Sequence, residues 1–174
     1  GDLAFLVEEL KAVFDPRGGA WMEGRYVPSI LAAIGGVIER HMVAIGFLAG
    51  LLAVLTFHQA TIGILNAYGL VGSAPFRTAA VGPLEIPAFL NQAFWGGVWG
   101  IVIALLTDAL RSERGRVVAA MLVGAIGATA VGWFVVAPLK GQPVAQGWNL
   151  AAMWRGPLIN GVFGIFGHGN VTGF

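Results

Sequence analysis

The chain has no cysteine, which removes disulfides, thiolate metal sites and thiol nucleophiles at a stroke. Charge is almost as scarce. Asp, Glu, Lys and Arg make up 11% of the 174 residues, against about 25% in soluble domains, and the net charge is +1. The ten Lys and Arg never gather into a run that could follow a phosphate backbone, so nucleic acid is not an expected partner. Paired acids, a Ser-His-Asp set, an HExxH motif and a Walker loop are all missing, and no enzymatic activity is expected.

What the chain does have is apolar. Hydrophobic residues reach 57% and glycine numbers 27, with a mean hydropathy of +0.79. Among Ala, Val, Leu and Phe, that much glycine predicts helices that approach one another closely in lipid rather than a flexible linker. The fold class expected is all-α: a polytopic transmembrane bundle of four spans behind N-terminal amphipathic or interfacial helices.

Residues 2–14 place Leu3, Leu6, Leu10, Val13 and Phe14 on one side of a short amphipathic helix. Trp21, Arg25 and Tyr26 suit headgroup depth. The apolar stretch Ile30 to Ile38 spans only about 14 Å before Glu39-Arg40-His41, so residues 28–40 are expected to be a surface or re-entrant segment. Met42 to Phe57 opens the first span, which continues toward Leu70. Phe89–Leu106, Val117–Val136 and Pro157–Phe174 follow as spans two to four, with the proline-bearing stretch 71–88 as a loop. This divides the chain into 1–41, 42–110 and 111–174.

The last two parts share a phrase. A span, Ala-Pro-apolar-cation (Ala74–Arg77, Ala137–Lys140), a loop, and Leu/Ile-Asn-x-x-Phe (Leu90–Phe94, Ile159–Phe163) occur twice in one order. The expectation is a two-plus-two repeat related by an axis along the membrane normal. Small residues four apart mark helix-packing faces: Gly46 and Gly50, Gly96 and Gly100, and the longer series Ala120, Gly124, Ala128, Gly132. Lys11, Arg17, Arg25, Arg40, Arg111, Arg114 and Arg116 fall on one side of four spans, and Arg77, Lys140 and Arg155 on the other. That bias puts both termini in the cytoplasm of a bacterial-type inner membrane.

Polar groups inside apolar segments are expensive unless they face a partner helix or water. His58, Gln59, Asn66, Asn91, Gln92 and Asn160 are the candidates here, with Arg77 and Lys140 near the same end. They describe either a small hydrated pocket open to the non-cytoplasmic side or helix-to-helix hydrogen bonds worth about 0.6–2 kcal/mol each, and the second reading is favoured. His58 and His168 are the haem candidates, but their depths differ by about 10 Å, a poor arrangement for two axial ligands. No cofactor or metal is expected. The functions in view are an accessory or assembly subunit of a larger membrane complex (or a homo-oligomer), then a small transporter or channel using the polar groups, then a haem-binding redox subunit. Expected partners are lipid, other membrane subunits and further copies of the chain.

Overall fold

A computed structural model describes residues 2–16, 18–22, 24–108, 110 and 112–167. Helix α1, Asp2–Ala12, is followed by an antiparallel hairpin of β1, Ala20–Met22, and β2, Arg25–Val27. Gly24, at φ +75°, supplies the left-handed residue of its turn. Trp21 faces Tyr26 across the register, their rings edge-on at 6.0 Å. Ser29 then starts the longest helix twice over: its hydroxyl oxygen accepts the Ala32 N–H, and its proton goes to the Val13 carbonyl, which ties α1 to the helix start.

That helix, α2, runs from Ile30 to Ala67. The break expected at Glu39-Arg40-His41 does not occur, and residues 30–40 are the first turns of α2 rather than a separate segment. The physical reason is that Glu and Arg are good helix formers, and these three side chains simply stand exposed on the helix surface. At 38 residues α2 is about 57 Å long, nearly twice a hydrocarbon core of about 30 Å. A π-helical turn, Val54–His58, interrupts its regular hydrogen bonding.

The proline-bearing connection carries a two-stranded ribbon, β3 (Ala80–Val81) with β4 (Ile86–Pro87), before α3, Ala88–Asp108. Ser112 caps α4, Glu113–Leu139, by accepting the Gly115 N–H. Two π-helical stretches, Val123–Ala128 and Gly132–Val136, lie within α4. A left-handed turn through residues 145–148 and the short α5, Leu150–Met153, lead to α6, Arg155–Gly167.

Three helices, α2, α3 and α4, are long and apolar enough to cross a membrane. Only 28, 28 and 17% of their most apolar windows is buried, so their apolar side chains point outward, the reverse of a water-soluble bundle. The core is correspondingly slim: Ala53, Val54, Ala93, Ile103, Ala120 and Phe163. The fourth expected span, Pro157–Phe174, is described only as far as Gly167, the 13 residues of α6. Residues 168–174, His168 among them, lie outside the described residues, as do Arg17 and Arg111 of the charge count.

Candidate functional site

Glycine sets how closely the helices approach. A side chain at Gly50 would strike the Gly96 carbonyl and approach the Gly100 Cα to 2.8 Å, while one at Gly100 would strike the Gly46 carbonyl. Helices α2 and α3 therefore touch backbone to backbone. The same happens between α4 and α6, where Gly124 lies against the Asn160 carbonyl and Gly164 against the Ala120 carbonyl. Ala128 is half-buried, and Gly132 has open space where a side chain would stand, so the stripe on α4 is used at its first half.

Polar side chains bridge the same helix pairs. Gln59, 1% exposed, donates from Nε2 to Gln92 Oε1 at 3.0 Å and accepts the Phe76 N–H on Oε1 at 2.8 Å. Phe76 sits at φ +51°, a left-handed conformation that costs a non-glycine residue about 1–2 kcal/mol. Gln59 thereby ties the connection after α2 down to two helices. Asn66 turns to its own chain, donating to the Val71 carbonyl at 3.1 Å beyond the helix end. Asn160 donates to Thr129 Oγ1 at 2.9 Å. Asn91 is half-buried, and Arg77 and Lys140 are exposed.

The structure thus brings together Gln59 with Gln92, and pairs Asn160 with a residue that sequence reasoning passed over. Thr129 is 3% exposed, and a lone hydroxyl inside a run of small residues was the available signal. Two polar atoms break the pattern: His58 Nδ1 and Arg155 Nε are buried without a hydrogen-bond partner among the described residues. The rings of Phe57, the residue before His58, and Phe166 stack at 3.6 Å. Among the described residues no three His, Asp or Glu side chains come together as a metal site.

A second polar site lies at the other end of α2. Lys11 on α1 reaches Glu39 on α2 at 3.2 Å and Glu8 one turn away at 3.6 Å. The Glu39 carboxylate, by hydrogen bond and charge, holds the Lys11 ammonium above its ordinary value of 10.5. Beyond this pair an open cavity of about 500 Å³ runs between the hairpin and α2, lined by Lys11, Arg25, Tyr26, Val37 and Arg40 over a floor of Ala32, Ala33 and Gly36. In the sequence these cations are fourteen or more residues apart (11 to 25, 25 to 40), and only the fold of α1 and the hairpin back onto α2 assembles them. No protein-family model matches the chain, and no curated protein and no solved structure matches it either.

Proposed function

We propose that this chain is a four-span membrane protein, its fourth span beginning in α6, serving as a non-enzymatic accessory or assembly subunit of a larger membrane complex. The observation that carries this reading is the use of the interior polar groups. Both ends of the Gln59 amide are engaged, Asn160 is bonded to Thr129, and Asn66 closes its own helix end, so these groups hold helices and a loop together rather than lining a path for solute. The glycine faces of α2 and α3 are likewise taken up inside the chain. Surfaces left for partners include the N-terminal part, with Phe5, Trp21 and Ile30 exposed at 67, 76 and 79%, and the open Gly132 end of α4. In this reading the positive residues at the α1 end and around the α3–α4 turn favour an orientation with both termini in the cytoplasm.

A small transporter is the second reading, favoured by the orphaned His58 Nδ1 and Arg155 Nε. Purification of the tagged chain from its own membranes in mild detergent separates the two. Stoichiometric membrane partners, or a defined homo-oligomer, are the expected result. A monomer that catalyses solute uptake in liposomes, and loses it on His58→Ala, would replace the first reading with the second.

A further inference from the structure

The cavity beside α2 has the chemistry of a phosphate cradle with one apolar wall, and we infer that it binds the headgroup of an anionic lipid. Arg25 and Arg40 both line it, and among the described residues neither is ion-paired, whereas Lys11 is occupied by Glu39 and Glu8. Two unpaired guanidinium groups on one cavity suit the paired oxygens of a phosphate, which each can grip with two N–H donors. The Tyr26 hydroxyl accepts the Gly19 N–H at 3.0 Å, which leaves its proton as a further donor.

The small residues below are what give the cavity depth. A methyl group at Gly36 would lie 3.7 Å from Arg25 Nη2, so the guanidinium rests over a helix surface with no side chain of its own. Val27 and Val37 form the apolar side. A free phosphate has no use for that wall; the glycerol ester end of a lipid does, and the exposed Val43, seven residues past Gly36 and so on the same face of α2, continues it toward the hydrocarbon.

Depth supplies the rest. The uncharged run of α2 starts at Met42, immediately after Arg40 and His41, and α2 exceeds a hydrocarbon core by about 27 Å. Arg40 therefore stands where hydrocarbon gives way to headgroups, with the exposed Trp21 beside Tyr26 at an interfacial position. Basic pockets at this depth are known headgroup sites, and the phosphate of a lipid without a compensating amine, such as phosphatidylglycerol, is the best match to two unpaired cations. The inference rests on α2 crossing a bilayer.

The test uses the full chain in mild detergent, titrated with dioctanoyl phosphatidylglycerol, dioctanoyl phosphatidylcholine or inorganic phosphate while thermal unfolding is followed. Phosphatidylglycerol is expected to raise Tm saturably, and the Arg25→Gln/Arg40→Gln double variant to weaken its binding about ten-fold or more. Gly36→Leu keeps both cations but fills the floor, and is expected to lose the lipid as well. Arg114→Gln and Lys140→Gln, exposed and far along the chain, should bind as the parent does. An equal response to phosphatidylcholine or to inorganic phosphate, or full binding by the double variant, would overturn the assignment. Carbonate extraction keeps the premise separate: release from membranes removes the span itself, whereas retention without phosphatidylglycerol selectivity removes the headgroup site alone.

Discussion

Two helix crossings hold the bundle, and they reach backbone contact by different routes. Where α2 meets α3, glycine stands on both sides, Gly46 and Gly50 against Gly96 and Gly100. Where α4 meets α6, Gly124 and Gly164 lie against the carbonyls of Asn160 and Ala120, while Gly161 and Gly156 of α6 meet side chains of α4, Ala125 and Thr129. The polar bond of the first pair lies nine residues beyond Gly50 (50 to 59), about 13 Å along α2. In the second pair Asn160 does both jobs, its carbonyl against Gly124 and its amide on Thr129. With glycine backbone facing glycine backbone, the Gln59 amide is free to anchor a loop; where glycine faces other residues, the polar residue stays at the crossing itself.

The most destructive way to probe that difference is to put a branched side chain into the four-glycine crossing. Gly50→Val is expected to cost about 3 kcal/mol or more, because its obstruction is the Gly96 backbone and not a side chain that could turn aside. Gly132→Val, on the same kind of residue with open space around it, should stay within about 0.5 kcal/mol. Thermal unfolding in detergent reads both, and equal losses would mean that the crossing is not where the structure has it.

Next in size is the contrast between the two polar bonds. Gln59→Met leaves the Phe76 N–H and the Gln92 carbonyl oxygen without partners and should cost about 2 kcal/mol, with faster amide exchange at Phe76. Asn160→Leu removes one bond, to a Thr129 hydroxyl that can turn to its own helix, and should cost about 0.6–1 kcal/mol. The reverse order would dissolve the distinction between loop anchor and local glue.

The connection into the second crossing offers a gain instead of a loss. Ala145, Gln146 and Trp148 hold φ of +48, +55 and +59°, and only Gly147 among their neighbours suits that region. Gln146→Gly should raise stability by about 1 kcal/mol, with Tm rising accordingly. An unchanged or lowered Tm would show that the turn stores no strain there.

The smallest effect concerns α1, outside both crossings. The Lys11 pKa is raised by Glu39, so their contribution is complete below the ordinary 10.5 and fades as pH climbs through the raised folded value. Because the chain has no native cysteine, a dye on Leu6→Cys can report the release of α1 cleanly. Its mobility should increase above about pH 10.5 in the parent and be independent of pH there in Lys11→Met.

Much of this frame could be read from residue order. The runs that became α3 and α4 were found to within a few residues at most ends, because a helix in lipid needs a long uncharged stretch and the chain has few charges to place. The start of α2 was misjudged for the same reason: three polar residues look like the end of a span, although nothing in Glu39-Arg40-His41 prevents a helix from leaving the hydrocarbon and continuing. The repeated phrase aligns Asn91 with Asn160, but α6 crosses its partner at Asn160 itself, whereas α3 does so at Gly96, five residues past Asn91 (91 to 96). A shared motif does not imply a shared contact.

Residue order and composition alone determined that this is a cysteine-free, glycine-laden chain of apolar helices long enough to cross a membrane, since solvent preference and hydrogen-bond satisfaction are properties of each segment taken singly. Which glycines touch, which amide finds which partner, and that Lys11, Arg25 and Arg40 share one cavity were decided by the tertiary structure. Those are relations between segments distant in sequence, and close packing selects among many small-residue faces by shape, which no single stretch of residues carries.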